Sequence, residues 1–306
     1  MRRLLALSLA AFATIGARAV LAEDAPTYTI PTHTTWKVGD VVTRIETEKE
    51  SQSQKVTMGE QVLQEGSNLV ETSFEAVLSV QEVNGEGEYT KALVFFKHWK
   101  REAGKDVDES LTGAHVEVTG AGAARSAKVV TPEHKISVEA AQWLDNELGK
   151  GSGDHEAKGN AVFNPGKPVA VGETWNPDMA KVREMFGSDG KLKFVDDKCT
   201  ASITLTGVED KVATFKVEFD LQTAPLETPG GKLEWTEGGM FVIRMNVKKA
   251  LEAGVHTEGG EMRAQLKGKA SGQGGVILDL DVDVQKTGTV TAGGEMPAMA
   301  GAAATK

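Results

Sequence analysis

The feature that most constrains this chain is an alternation of apolar and polar residues with a period of two. Residues 211–222 show it best, because five apolar side chains alternate there with polar ones: Ala213, Phe215, Val217, Phe219 and Leu221. Successive side chains of a β-strand point to opposite faces, so the pattern predicts a strand with one buried and one exposed face.

Similar patterns recur along most of the chain. Residues 74–80 alternate in the same way, and further strands are predicted at residues 38–46, 56–63, 89–98, 115–118, 240–247, 261–270, 276–285 and 289–291. Glycine pairs at 238–239, 259–260 and 274–275 predict turns between strands. The chain has 34 glycines, which fits a turn-rich antiparallel protein.

Two short segments instead have a helical pattern. Residues 137–148 begin with the capping residue Ser137 and carry an apolar stripe of Val138, Ala141, Leu144 and Leu148. Residues 177–186 follow Asn176 as a predicted cap, with Pro177 in the first turn and Met179, Val182 and Phe186 on one face. We therefore expect two short helices within a β-rich chain.

Two regions of the chain also resemble each other in sequence. The predicted hairpin after residue 75 is similar to the one after residue 200, and each is preceded by a tryptophan, Trp36 or Trp175. The predicted fold class is mainly β, with two related antiparallel β-meander or half-barrel units and two short helices at their junction. Alternating hairpins also resemble one another in chains that have no internal duplication, so similarity without duplication stays open as an alternative.

These patterns divide the sequence into six segments. The order is a signal peptide (1–22), an N-terminal extension (23–34), a first β unit with its closing helix (35–150), a linker (151–160), a second β unit (161–292) and a disordered tail (293–306).

The first 22 residues have the three parts of a secretory signal peptide. Arg2 and Arg3 precede an apolar stretch, and small residues precede two candidate cleavage positions, after Ala19 and after Ala22. We therefore expect an exported protein, periplasmic or extracellular. Cleavage after Ala22 would also remove Arg18, and losing these three arginines would change the formal net charge from −10 to −13.

The acidic surface argues against nucleic-acid binding, because phosphate contacts require clustered lysine and arginine. Beyond the leader, no apolar stretch is long enough to predict stable membrane insertion. The single cysteine, Cys199, lies within a predicted strand and is interpreted as a small buried residue. Protein partners remain open.

No recognisable catalytic arrangement is present, so no catalytic residue, metal site or cofactor is predicted. The six histidines lack metal-binding spacing. Asp279, Asp281 and Asp283 share one face of a predicted strand, but their spacing of about 6.6–6.8 Å is too wide for one calcium ion. A solvated acidic face is the favoured interpretation. Ser188 with Lys191, followed by Lys286-Thr287-Gly288, imitates two motifs of penicillin-recognising enzymes without the expected helical context.

Residues 168–175 (PVAVGETW), the hairpin at 208–213 and the segment 275–279 resemble an uncharacterised family of exported bacterial β-rich proteins. That family brings no known activity. The architecture is similar to that of clam-like envelope lipoprotein carriers. This resemblance implies an apolar concavity that holds acyl chains.

We therefore expect a non-enzymatic envelope protein that binds an apolar or amphipathic ligand, such as a lipid, between two β units. The ligand-binding residues predicted at the rim of the concavity, on the two helices, are Trp143, Leu144, Met179 and Phe186. Two alternatives stay open. One is a structural or protein-interaction module of the envelope, and the other is a hydrolase without a recognisable motif. A cavity of roughly 300 Å³ or more would favour ligand binding.

Overall fold

A computed structural model of the chain describes residues 26–31, 34–149, 158–159, 161–187, 192–228, 231–252 and 255–298. The predicted signal peptide lies outside these residues, as do Ser188, Lys191, most of the predicted linker and residues 299–306. The description below concerns the described residues alone.

The prediction of a mainly β fold is confirmed. The strands are β1 (Thr27–Tyr28), β2 (Val41–Met58), β3 (Gln61–Val83), β4 (Tyr89–Ala103), β5 (Asp106–Asp108), β6 (His115–Thr119), β7 (Ser126–Val129), β8 (Val169–Ala170), β9 (Thr174–Trp175), β10 (Phe194–Glu209), β11 (Val212–Thr223), β12 (Leu226–Thr228), β13 (Gly231–Ala250), β14 (Glu258–Ser271) and β15 (Val276–Ala292). The two predicted helices are α1 (Val138–Glu147) and α2 (Met179–Gly187). Residues 158–159 and 161–163 are also helical, where the sequence predicts no helix.

Thirteen of these strands form one antiparallel sheet. Its main path runs β7-β6-β4-β3-β2-β15-β14-β13-β11-β10-β9, with β5 paired to β4 and β12 paired to β13. β1 and β8 form a separate two-stranded sheet. Apart from β8, the strands of both predicted β units therefore belong to the same sheet, joined where β2 pairs with β15. A duplication of the two units stays a prediction.

The apolar residues of that sheet form two separate cores. The first core packs Phe74, Phe96 and Trp99 against Leu144 of α1. The second core packs β10, β11 and β13 against Val182 of α2. Both helices lie on the same face of the sheet, which we call the inner face, and the opposite face is the outer face.

Strand β11 follows the predicted alternation throughout. Ala213, Phe215, Val217, Phe219 and Leu221 all lie in the second core. Their polar neighbours lie on the outer face, where Lys216 is exposed.

Three expectations about local structure are wrong. Residues 56–63 do not form one strand, because the turn at Gly59-Glu60 separates β2 from β3. The glycine pairs 238–239 and 259–260 are not turns between strands, because both lie inside long strands. Gly238 and Gly239 have positive φ angles at an irregularity of the β13–β14 register, where the Trp235 ring packs against Gly239.

The helices begin and face differently from the prediction in two respects. Ser137 caps α1 as expected, because its side chain accepts a hydrogen bond from the Ala140 amide at 2.9 Å. The buried residues of α1 are Ala140 and Leu144, whereas Val138 is exposed. In α2 the cap is Asp178 instead of Asn176, because Asp178 Oδ1 accepts from the Ala180 amide at 2.9 Å.

The assignment of β11 can be tested by truncating its inward-facing phenylalanines. Phe215→Ala and Phe219→Ala should each lower the free energy of unfolding by about 3–5 kcal/mol, because each leaves a cavity in the second core. Lys216→Ala, on the opposite face, should change it by less than about 0.5 kcal/mol. Urea unfolding measures all three, and equal effects of the three substitutions would contradict the assignment.

Candidate functional site

The candidate site lies on the inner face where the two cores fail to meet. One row of paired residues crosses the sheet there, and its members from β3 to β11 are Phe74, Glu46, Gly288, Gly260, Val247 and Phe215. Its ends belong to the cores, but its middle holds one carboxylate and two glycines. Apolar packing is therefore interrupted at β2, β15 and β14, which we call the midline strands.

At the two glycines no side chain covers the inner face of the sheet, and the reason differs between them. Gly260 has a φ of 156°, and a Cβ built on it would lie 2.2 Å from the Asn246 carbonyl oxygen, so no larger residue fits. A Cβ on Gly288 would meet only ordinary contacts, the nearest being Glu46 Cγ at 3.5 Å. The backbone would therefore accept a larger residue at position 288, and the space there exists because glycine occupies the position.

Two adjoining recesses occupy this region. The first recess, of about 420 Å³, has a mainly apolar wall that includes Trp36, Val42, Phe74, Leu78, Phe96, Trp143 and Leu148. The second recess, of about 680 Å³, lies towards the second core and is lined by residues that include Phe163, Met185, Phe215 and Val284. Both fall within the range of small-molecule pockets, about 300–1,000 Å³. They share Glu147, Met262 and Lys286 among other residues.

A network of five charged side chains lies where the recesses meet. Arg44 Nη2 lies 2.6 Å from Glu46 Oε2 and 3.0 Å from Glu147 Oε2. Lys286 Nζ lies 2.6 Å from Glu46 Oε1, 3.4 Å from Glu48 Oε2 and 3.5 Å from Glu147 Oε1. Since Glu147 is the last residue of α1, these ion pairs fasten the helix to β2 and β15.

Opposite charges hold most of this network ionised. Burial opposes the charge on Glu147, but Lys286 and Arg44 outweigh it and lower the pKa of the carboxyl group. Burial likewise opposes the positive charges of Lys286 and Arg44, yet the neighbouring glutamates raise both pKa values above their usual range. Glu48 differs, because burial raises its pKa more than Lys286 lowers it.

The carboxylates of Glu46, Glu48 and Glu147 lie within 4.8 Å of one another, which is the spacing of a possible metal site. The Lys286 ammonium is already placed among them at ion-pair distance. A metal ion there would have to displace this cation, so the arrangement favours a salt-bridge network.

The four predicted ligand-binding residues lie in different environments. Trp143 lines the first recess and packs edge-on against Phe74, with ring centroids 5.2 Å apart. Leu144 is buried in the first core. Met179 and Phe186 pack on the second core, where Phe186 contacts Phe219 at 5.8 Å between centroids. From α2, it is Met185 that reaches the second recess.

The charged network and the glycine gap were not predicted, although one sequence signal pointed to them. Leu278, Leu280, Val282 and Val284 alternate on β15, and the same period places Lys286 and Gly288 on the inner face. A lysine and a glycine that continue an apolar stripe indicate a break in the core. No such signal identified the partner carboxylates, because they come from β2 and α1.

The aspartates of β15 and Cys199 do not line either recess. Asp279, Asp281 and Asp283 lie on the outer face, and each faces a basic residue of β14: Lys269 at 4.0 Å, Lys267 at 2.7 Å and Arg263 at 2.6 Å. Cys199 is half-buried and its Sγ donates to the Val195 carbonyl at 3.0 Å. Burial raises the pKa of this thiol, so it is a weak nucleophile near neutral pH.

Comparison with known proteins gives no assignment. No family model matches the chain, and no curated protein matches its sequence. Within the described residues, no helix has the length and hydropathy needed to cross a membrane.

Three solved structures resemble this chain weakly. A structure concerned with lipid–protein interactions in lipovitellin has 11% identity and a TM-score of 0.37, covering 89% of this chain and 27% of the lipovitellin chain. An outer membrane channel from Pseudomonas putida F1 has 8% identity and a TM-score of 0.22, covering 85% and 98%. A structure concerned with the asymmetric conductivity of engineered proteins has 11% identity and a TM-score of 0.23, covering 80% and 99%. These scores are too low to assign a function.

Lys286→Met tests whether the network stabilises the fold. It should lower the free energy of unfolding by about 3 kcal/mol near neutral pH, because three partly buried carboxylates lose their shared cation. Lys267→Met is the matched control: it removes an exposed ion pair on β14 and should cost less than about 1 kcal/mol.

The cost of Lys286→Met should shrink as pH falls. The lowered pKa of Glu147 stabilises the native chain above the unfolded pKa, and this contribution is lost as pH falls through the folded value. In the variant, Glu48 loses the cation that opposes the effect of burial on its pKa, so this carboxylate binds a proton more readily than in the unfolded chain, which favours folding at low pH. Urea unfolding near neutral pH and at about pH 4 measures the difference, and a cost independent of pH would contradict this account.

Proposed function

We propose that this protein is an exported, non-enzymatic binder of an apolar or amphipathic ligand, which it holds in the two midline recesses. The observation that carries the proposal is the gap between the two cores. A sheet face with both helices beside it would ordinarily be covered by continuous apolar packing. Here Gly260 and Gly288 leave the middle of that face open between apolar walls.

The composition of the walls supports this choice of ligand. Aromatic and aliphatic side chains from β3, β4 and α1 surround the first recess, and Met185, Phe163 and Val284 extend the apolar surface into the second. Small-molecule sites typically combine a mainly apolar wall with a few polar groups. The network of Arg44, Lys286 and Glu147 supplies such groups at the junction of the recesses.

Binding of N-phenyl-1-naphthylamine, an uncharged dye that fluoresces in apolar surroundings, tests the proposal. Gly288→Leu and Met262→Trp should each weaken saturable dye binding by about tenfold or more, because each places a larger side chain in the recesses. Gly66→Leu is the matched control, since Gly66 lies on an exposed part of β3, where an added Cβ would meet nothing within 4 Å.

Circular dichroism and thermal unfolding should show that all three variants fold. If the dye does not bind saturably at tens of micromolar, or if Gly66→Leu weakens binding as much as the other two, the proposal is wrong. The structural or protein-interaction module would then be the better interpretation.

A further inference from the structure

The charges around the two recesses are balanced. Five acidic and five basic side chains line the recesses taken together. A site built for an ionic head group ordinarily offers an excess of the opposite charge, as in carboxylate and phosphate sites built on arginine. These recesses offer no such excess.

The central charges are also engaged with one another. Arg44 and Lys286 both bind Glu46 at 2.6 Å, and Glu147 bridges the same two cations. Glu258, which lines both recesses, accepts from Thr34 Oγ1 at 2.6 Å. An ionic head group would have to break one of these pairs and leave a partly buried charge without its partner, which is costly.

One donor at the centre remains available for an uncharged partner. Arg44 makes its ion pairs through Nε and Nη2, and its Nη1 donates to no residue that the structure describes. The guanidinium also lies 5.1 Å from the centroid of the Phe74 ring, against the apolar wall. A hydroxyl or carbonyl oxygen can accept from Nη1 without adding charge.

We infer that the ligand is an uncharged amphiphile, a long hydrocarbon chain with an alcohol, ester or amide head, whose oxygen binds at Arg44 while the chain lies over Gly288. This inference rests on the proposed function and narrows it to one class of ligand. Glu147 then has a specificity role: its carboxylate is one of the five that balance the five basic side chains of the lining, and it disfavours anionic heads.

Displacement of N-phenyl-1-naphthylamine by three ten-carbon probes tests the inference: 1-decanol, decanoate and decylammonium. In the native chain, decanol should displace the dye at about tenfold lower concentration than either ion. Water solvates the ions better, so this ranking alone would also arise in a plain apolar pocket.

The Glu147→Gln variant separates the inference from a plain apolar pocket, because it leaves one more basic than acidic side chain around the recesses. It should improve displacement by decanoate by about tenfold relative to decanol, with decylammonium unchanged or weaker. Glu75→Gln is the matched control: it removes an exposed carboxylate paired with Lys97 on the outer face and should leave all three values unchanged.

Two results would overturn the inference. One is that decanoate or decylammonium displaces the dye from the native chain as well as decanol does. The other is that Glu147→Gln leaves the ratio of decanoate to decanol unchanged. If the dye binds in neither recess, as judged by Gly288→Leu and Met262→Trp together, the proposed function itself fails, and this outcome is distinct from a change in head-group preference.

Discussion

The pairing of β2 with β15 is the constraint on which the rest of the structure depends. It runs from Val276 opposite Met58 to Ala292 opposite Val42, and it joins the first long strand of the chain to the last. This register sets Lys286 beside Glu48 and Gly288 beside Glu46. The pairing therefore continues the sheet while interrupting its apolar inner face, and the two cores remain separate on either side.

Much of the fold could be predicted from local pattern, because alternation reports burial directly. Strand β11 alternates throughout and was assigned correctly. The sequence predicts no strand at residues 47–55, in the middle of β2, since polar residues occupy both faces there and the stability of this part comes from neighbouring strands. The pairs 238–239 and 259–260 were interpreted as turns because glycine signals both turns and close backbone approaches. At Gly260 the close approach is to the Asn246 carbonyl.

The ligand site predicted between two β units stays a prediction, and the sequence gives little of the chemistry found on the inner face. A concavity between two β units beside the helices was expected, and Trp143 lines the first recess. The charged network could not be found from spacing, because Glu46 and Glu147 are brought together by the packing of α1 on β2. The rotation of α1 also decides which residues face the site: α1 directs Trp143 and Glu147 to the first recess, while Leu144 enters the core.

In the proposed function, the gap at Gly288 holds a small apolar molecule. Native mass spectrometry of the protein purified from its own host tests this most directly. We expect one bound molecule per chain, uncharged in solution and released by organic solvent, and we expect Gly288→Leu purified in parallel to carry none. A native chain that emerges empty, or a Gly288→Leu variant that carries the same molecule in the same amount, would contradict it.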